Sequence, residues 1–294
     1  MKTAVVLMAY GSPSRPEDIP AYFEDIRGGR PVRPEAVAEL AERYRRIGGS
    51  SPLNEITERQ RAALEHDLGA PVYVGMKHWT PRIADAVEQA LGAGAERIVG
   101  LVLAPHYSGI SIGGYRERLE SSVAGRADLV MIESWHDHSP FVDIVADRVR
   151  GTDAHVVFTA HSLPARILDD GDPYKDQLLE TSRLVAERAG VESWSFAFQS
   201  ASPTGEPWLG PDILEELERL HAEGVRKILV APVGFVSDHL EILWDIDVEA
   251  REKAAELGLE LDRIESLNDS PEFARALAVL VEQVLDESTR IEVP

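Results

Sequence analysis

The sequence contains no cysteine among its 294 residues. A chain without thiols forms no disulfides, holds no cysteine-ligated iron–sulfur cluster and builds no thiolate zinc site. Any metal that this protein handles must therefore bind to nitrogen or oxygen ligands.

Positive charge is scarce as well. Lysine and arginine total 30 against 51 aspartates and glutamates, so the formal net charge is 30 − 51 = −21. This excess of negative charge opposes nonspecific binding to nucleic acid or to an anionic membrane surface. We therefore expect neither as a partner.

Long hydrophobic runs are also missing. The first apolar run covers only about residues 3–9, which is too short for a signal peptide or a membrane-spanning helix. We expect a cytoplasmic protein with no stable membrane insertion. The hydrophobic content of 44% is still sufficient for a sizeable core in one large or two ordinary domains.

Short apolar runs alternate along the chain with longer helical stretches. This alternation predicts an α/β fold with parallel sheets. The strand-like runs cover residues 4–8, 72–74, 98–103, 129–132, 156–159, 195–198, 228–230 and 259–261. The helical stretches cover residues 17–26, 34–47, 54–66, 81–91, 139–148, 175–189, 211–223, 238–257 and 272–285.

Three strand ends in the first half of the chain resemble three in the second half, in the same order. The matched pairs are 5–13 with 156–164, 75–81 with 197–203, and 98–105 with 228–232. This repeat predicts two similar halves, 1–150 and 151–294, and we allow for the C-terminal helix, 272–285, packing back on the first half. Ligands of parallel sheets bind at the carboxyl ends of strands, which here carry Tyr10, His78 and His161.

Three acids follow the predicted strand at 228–230. Glu241, Asp245 and Glu249 are spaced four apart, so a helix places them on one face. Such a ladder is either a solvated surface of an acidic protein or a partly buried site for a divalent metal or for protons. Apolar neighbours such as Phe235 and Trp244 favour the second interpretation.

His161 directly follows another predicted strand. An imidazole in this position could accept a proton near neutral pH or bind a metal. The alternative is a hydrogen-bonded histidine of the core, and the residues alone leave both possibilities open.

Residues 27–47 reverse the charge of the chain. They contain six arginines and three glutamates. Ordinary pairing along a helix, such as Glu39 with Arg43, would explain the arginines. They would equally suit recognition of carboxylates, which guanidinium groups bind in a two-pronged manner.

Two stretches resemble the ferrochelatase family, and more narrowly its monofunctional Gram-positive type, which acts on coproporphyrin III. The first is Val-Val-Phe-Thr-Ala-His-Ser-Leu-Pro-Ala-Arg-Ile-Leu-Asp-Asp-Gly-Asp-Pro-Tyr at 156–174, and the second is Phe-Val-Ser-Asp-His-Leu-Glu-Ile-Leu-Trp-Asp-Ile-Asp-Val-Glu at 235–249. Similarity extends from residues 8–13 to the C-terminal helix.

The resemblance implies a chelatase class II fold, with two Rossmann-like halves and a porphyrin cleft between them. It implies an enzyme that inserts ferrous iron into coproporphyrin III, giving coprohaem in haem b biosynthesis. Fe²⁺ would be a substrate, with no permanently bound cofactor and no iron–sulfur cluster. Transient contacts with neighbouring enzymes of the haem pathway are also expected.

The same resemblance assigns roles by position. His161 and Glu241 would form the catalytic and iron-binding pair, and which of them takes the pyrrole protons stays open. Asp245 and Glu249 would continue the acidic ladder, and Tyr10 would face the metal from the other side of the macrocycle. The positions that hold the porphyrin and its propionates match Tyr10, Ser12, Arg27, Arg43, Tyr44, Ser51 and Tyr115.

Alternative substrates and functions also follow from the resemblance. Protoporphyrin IX has two carboxylates where coproporphyrin III has four, so the arginine-rich segment favours coproporphyrin. Chelatases of corrin precursors usually present a second histidine at the position of Glu241, and a noncatalytic haem- or porphyrin-binding protein has no need of the pair. Trp79 and Trp244 stand where the family suggests other residue types.

Overall fold

The computed structural model describes residues 1–202 and 204–291. Pro203, which ends the second repeat match, and residues 292–294 lie outside the described residues. The chain forms two compact units. Unit 1 comprises Met1–Pro105, Gly109–Trp135 and the chain from Leu267 onward, and unit 2 comprises His106–Ser108 and His136–Ser266.

Unit 1 contains a parallel sheet with the strand order β2-β1-β3-β4. The strands are β1 (Thr3–Ala9), β2 (Val72–Met76), β3 (Arg97–Val102) and β4 (Asp128–Ile132). A short 3₁₀-helix spans Pro16–Asp18. The α-helices are α1 (Ile19–Ile26), α2 (Pro34–Arg46), α3 (Leu53–Leu68), α4 (Ile83–Gly92), α5 (Ile112–Val123) and α10 (Pro271–Ile291).

Unit 2 contains a second parallel sheet with the order β6-β5-β7-β8. The strands are β5 (His155–His161), β6 (Trp194–Gln199), β7 (Lys227–Ala231) and β8 (Glu260–Arg263). The helices are α6 (Ser139–Val149), a 3₁₀-helix (Ala165–Leu168), α7 (Tyr174–Ala189), α8 (Ile213–Ala222), a π-helix (Ile242–Ala250) and α9 (Arg251–Leu257).

The predicted α/β fold with two parallel sheets is confirmed, and all eight predicted strands are present. The two sheets also have equivalent strand orders, which confirms the repeat. The central strands β1 and β5 are buried on both faces, as expected when helices cover both sides of a parallel sheet.

One helical prediction needs correction, and one helix of the structure has no predicted counterpart. The stretch 238–257 is not one α-helix, because its middle forms the π-helix and only its end forms α9. A spacing of four between acids fits either geometry, so the pattern could not distinguish them. Helix α5 was not predicted, because Gly113 and Gly114 weaken the helical pattern. A Cβ atom at Gly114 would lie 2.9 Å from the Lys77 amine, so the glycine leaves room for the Lys77 side chain.

The loop after β7 passes very close to β5 at Gly234. Its amide donates to the Thr159 carbonyl at 3.0 Å. A Cβ atom at this position would lie 2.4 Å from the Ala160 Cβ and 2.8 Å from its Cα. Only glycine therefore allows this approach, which brings the residues after β7 next to the end of β5.

We expect Gly234→Ala to lower the free energy of unfolding by about 1–3 kcal/mol, because the added methyl overpacks the contact. Denaturant unfolding measures the loss. Ala160→Gly removes the nearest colliding atom, so the double variant should lose less than the sum of the two single variants. Strict additivity of the two changes would show that the loop does not press on Ala160.

Candidate active site

His161 ends β5, a central strand of its sheet, beside the loop that leaves β7. Strands β5 and β7 are the neighbours at which the chain order of the sheet reverses, a usual place for ligands in such sheets. The His161 Nδ1 atom donates to the Ser162 carbonyl. The Tyr174 hydroxyl donates to the His161 carbonyl at 3.0 Å. Because Nδ1 is occupied, Nε2 is the nitrogen available for chemistry.

The carboxylate of Glu241 lies next to His161 Nε2. The His161 Nε2 atom lies 3.5 Å from Glu241 Oε1, and each side chain is about a third exposed, at 31% and 32%. The structure therefore brings together the two residues to which the family resemblance assigns the catalytic and iron-binding roles. An imidazole and a carboxylate that both remain reachable can exchange protons or share a cation.

His239 also approaches Glu241, and sequence reasoning missed it. Its Nε2 atom lies 3.6 Å from Glu241 Oε2, and its Nδ1 atom donates to the Ser237 carbonyl at 2.9 Å. The predicted helix from 238 would turn residues two apart toward different sides. In the structure His239 precedes the helical residues, so its ring can turn back to the carboxylate.

The pair is charged on both sides. Burial alone would lower the pKa of His161, but the carboxylate of Glu241 outweighs it and raises the pKa to about 9. Burial alone would raise the pKa of Glu241, but the two imidazoles hold the pKa of that carboxyl well below its usual range. At neutral pH His161 is therefore a positively charged imidazolium and Glu241 is an ionised carboxylate.

The acidic ladder continues along the π-helix. Asp245 is buried, with 6% exposure, and accepts a hydrogen bond from Ser200. Glu249 is half-buried. A π-helix takes more residues per turn than an α-helix, so four residues fall just short of a full turn and the three acids still share a face. The ladder is thus partly buried, as the second interpretation of the sequence expected.

Gln199 connects the ladder to the end of β5. Its amide nitrogen donates to the Glu241 carbonyl at 3.1 Å and lies 3.5 Å from the Asp245 carboxylate. Its oxygen accepts from the Thr159 hydroxyl at 3.0 Å. The neighbouring Ser200 has a φ of 64°, a left-handed conformation that costs energy in a non-glycine residue. This strained corner places the Ser200 hydroxyl against Asp245.

Among the described residues, no group of three or more His, Asp or Glu side chains is arranged to enclose a metal ion. His161 and Glu241 offer one nitrogen and one carboxylate. Imidazole nitrogen and carboxylate oxygen are both ligand types that divalent transition metals bind.

In unit 1, Tyr10 follows β1 at the position equivalent to His161 and is 41% exposed. Its ring lies 4.6 Å from the ring of His78. His78 Nδ1 lies 2.9 Å from Asp25, whose other oxygen pairs with Arg82 at 2.9 Å. Burial lowers the pKa of His78 to about 4, so this imidazole is neutral at physiological pH.

Two of the predicted porphyrin-binding residues contact each other. The Ser12 and Tyr44 hydroxyls lie 3.1 Å apart, and both side chains are buried. Asn54 fixes the backbone of Ser12 through two hydrogen bonds, at 3.0 and 2.7 Å. The loop after β1 is therefore held to α2 and α3 by polar contacts.

The other predicted porphyrin-binding residues lie on separate elements of unit 1. Arg27 is exposed at the end of α1, and Arg43 is exposed on α2. Ser51 accepts a hydrogen bond from the Leu53 amide at the start of α3. Tyr115 is buried on α5, with the Lys77 amine 4.7 Å from its ring centre. Part of the arginine run is ordinary helix pairing, because Arg45 binds Glu42 at 2.6 Å.

The two unexpected tryptophans have packing roles. The Trp79 indole donates to Ser14 at 3.2 Å and meets the Tyr22 ring edge-on at 6.0 Å. A Cβ on Gly11 would lie 2.8 Å from the Trp79 Cβ. Trp244 is buried within the π-helix. Trp79 thus packs against the loop that carries Ser12.

Comparison with known proteins identifies the family. The family model described as Ferrochelatase matches residues 2–285. A ferrochelatase of Herpetosiphon aurantiacus is 45% identical, over 95% of this chain and 98% of the relative. The chain belongs to the ferrochelatase family. It is therefore an enzyme whose substrates are a porphyrin and iron.

Two further proteins are similar to this chain, one in sequence and one in fold. A protein of Geobacillus sp. named coproporphyrin III ferrochelatase is 41% identical to this ferrochelatase, over 95% of the chain and 97% of the relative. The solved structure of SirB from Bacillus subtilis with Fe³⁺ is similar with a TM-score of 0.65 and 14% identity, over 98% of each chain. The second similarity supports the chelatase fold alone.

A search for membrane-crossing helices within residues 1–202 and 204–291 finds none of sufficient length and hydropathy.

We expect the His161 imidazole to titrate at about 9 in the parent enzyme, as followed by histidine NMR against pH. In Glu241→Gln the carboxylate is gone, so burial dominates and the pKa should fall below the ordinary 6.5. Asp245→Asn, which removes a more weakly acting charge, should lower the pKa less.

The raised pKa of His161 also makes the free energy of unfolding depend on pH. Because this pKa is higher in the folded than in the unfolded protein, protonated His161 stabilises the fold. That stabilisation is complete below pH 6.5 and is lost as pH rises through about 9. A parent pKa near 6.5 that Glu241→Gln leaves unchanged would contradict the charged pair.

Proposed function

We propose that this ferrochelatase inserts ferrous iron into coproporphyrin III, with His161 and Glu241 at the iron-transfer step. The observation that carries the mechanism is the contact of 3.5 Å between His161 Nε2 and Glu241 Oε1, at the carboxyl edge of the sheet. The name of the Geobacillus relative and the arginine-rich segment support the choice of porphyrin.

Iron insertion is an exchange of a cation for protons. Fe²⁺ enters the ring of four nitrogens, and the two pyrrole N–H protons leave. A base must stand near the ring to accept them, and the charge of the incoming cation must be stabilised until the nitrogens bind it. An imidazole next to an ionised carboxylate supplies both functions.

His161 has the geometry of the base in this scheme. Its Nδ1–H group is hydrogen-bonded to the Ser162 carbonyl, so Nε2 is the nitrogen that gains and loses a proton. An Fe²⁺ ion that binds Glu241 neutralises the charge that holds the proton on His161, and the pKa of the imidazole drops toward neutrality. His161 then gives its Nε2 proton to water and becomes a base that takes the two pyrrole protons one after the other, releasing the first to water before it accepts the second.

Asp245 and Glu249 provide a path leading away from the pair. Asp245 is buried and bound to Ser200, whereas Glu249 is half-buried farther along the π-helix. Carboxylates at such spacing can pass protons or a hydrated cation in steps. We assign the ladder to this traffic between Glu241 and water.

The porphyrin needs an opposite electrostatic environment. Coproporphyrin III carries four carboxylates, and the protein as a whole carries −21, so the field of the protein repels it. Arg27 and Arg43 are exposed on α1 and α2, within a segment that is locally positive. These guanidinium groups are the proposed partners of the carboxylates, beside Tyr10, Ser12, Tyr44, Ser51 and Tyr115.

A protoporphyrin enzyme remains the second candidate, because several relatives, including that of Herpetosiphon aurantiacus, are named only ferrochelatase. The deciding experiment is anaerobic Fe²⁺ insertion into each porphyrin at matched concentrations. A higher kcat/KM for coproporphyrin III supports the proposal, and a higher value for protoporphyrin IX rejects it.

We expect His161→Ala to lower kcat for iron insertion by at least about a hundredfold, the usual size of a lost general base. Porphyrin binding, measured by fluorescence quenching, should persist because other residues are assigned to it. His155→Ala is the matched control, since that histidine lies at the other end of β5 between Ser193 and Ser195. Near-normal turnover of His161→Ala would mean that the base is elsewhere.

We expect Arg43→Ala to weaken coproporphyrin III binding by roughly tenfold or more, because a charge-assisted hydrogen bond contributes about 1.5–3 kcal/mol. The loss for protoporphyrin IX should be smaller if Arg43 binds a carboxylate that only coproporphyrin has. The preference should also shrink at higher salt. Arg45→Ala is the control, because it removes the same charge from the same helix at a residue to which no porphyrin contact is assigned. Equal losses of affinity for both porphyrins in Arg43→Ala would show that Arg43 does not select coproporphyrin III by its additional carboxylates.

A further inference from the structure

Arg263 ends β8 and reaches the π-helix from its side. Its side chain is largely buried, with 11% exposure. The guanidinium makes a forked, bidentate pair with Asp247, in which Nε lies 3.0 Å from one carboxylate oxygen and Nη2 lies 2.8 Å from the other. Asp247 follows Asp245 of the ladder by two residues, so this bond anchors the π-helix just beyond the ladder's buried acid.

The third nitrogen of Arg263 holds the segment before the helix. Nη1 lies 3.2 Å from Asp238 and donates to the Ser266 hydroxyl and the Ile264 carbonyl, each at 3.1 Å. The Ser266 hydroxyl in turn donates to Asp238 at 2.7 Å. Asp238 immediately precedes His239, so one guanidinium is bound to both sides of the stretch that contains His239, Glu241 and Asp245.

We propose that Arg263 is a positioning residue for iron transfer, which fixes Glu241 against His161 by clasping Asp238 and Asp247 together. The proposal rests on the proposed role of Glu241 in iron transfer. Within the described residues, the polar partners of Arg263 are Asp238, Asp247, Ile264 and Ser266, and none of these is assigned to a substrate. Its effect therefore passes through the backbone of the π-helix.

The physical need for such a clasp comes from the helix itself. A π-helix of nine residues is unusual, because most π-helical segments are single turns with less favourable geometry than an α-helix. Its shape must therefore be imposed by surrounding contacts. A largely buried ion pair adds little net stability, but a forked arginine–carboxylate pair fixes distance and orientation. A displacement of about 1 Å in a catalytic group can cost a hundredfold in rate.

The chain offers a matched control in Arg251. Its Nε atom lies 3.7 Å from the same Asp247 carboxylate, but its side chain is 45% exposed, and its guanidinium donates to the Leu261 carbonyl at 3.3 Å. Arg251→Met and Arg263→Met thus remove the same charge near the same acid. Only the second opens the link between Asp247 and Asp238.

The test is steady-state Fe²⁺ insertion under anaerobic conditions, with the two substrates varied separately. We expect Arg263→Met to lower kcat by about ten- to a hundredfold and to raise the KM for iron, while the KM for porphyrin stays within twofold. Arg251→Met should stay within twofold of the parent in all three constants. Arg263→Lys, which keeps the charge but not the fork, should fall between them. A mere loss of folded protein would lower kcat without moving the KM for iron.

Two comparisons keep this test separate from the proposed function. If Glu241→Gln abolishes insertion while Arg263→Met retains the parent kcat and iron KM, the positioning role is overturned and the function stands. If Glu241→Gln itself retains full activity, the proposed role of Glu241 fails, and the positioning role fails with it. Should Arg263→Met not fold, Arg263→Lys and Asp238→Asn replace it, and parent-like iron KM values in both would overturn the proposal.

Discussion

The contact between His161 and Glu241 is the interaction on which the site depends. Either residue alone at this place would be driven toward its neutral form by burial, whereas together they remain charged. Further hydrogen bonds hold each residue in place. His161 is bonded to Ser162 and Tyr174, and the Glu241 carbonyl accepts a hydrogen bond from Gln199. The pair therefore keeps a proton and a negative charge in fixed places at the edge of the sheet.

The parallel sheet explains why these groups can meet. Strands β5 and β7 are adjacent and end at the same edge, and the glycine at 234 lets the following loop touch β5. The loop then leads directly into the helix that carries the acids. Unit 1 repeats the strand order, but the equivalent position after β1 carries the phenol of Tyr10. Equivalent strand ends thus carry different side chains, an imidazole in one sheet and a phenol in the other.

The strands, their repeat and the main pair could be predicted from the sequence because they depend on local patterns and on family motifs. His239 could not, because its position relative to Glu241 depends on where the helix begins. The π-helix was equally hidden, since acids four apart fit both helical geometries. Arg263 gave no local signal at all, because its partners Asp238 and Asp247 are distant in sequence and are found only through the fold.

Charge is distributed unevenly along this chain, and the two substrates of the proposed function carry charges of opposite sign. A net charge of −21 attracts Fe²⁺ and repels an anionic porphyrin, so no single uniform surface could serve both. This chain places arginines on α1 and α2 of unit 1 and the acidic ladder on the π-helix of unit 2. At 0.1 M salt the field of an exposed charge is largely screened beyond about 10 Å, so each region acts mainly on a ligand close to it. Under the proposed function, the acidity of the whole chain favours the cation, and the arginine segment is the local exception that an anionic porphyrin requires.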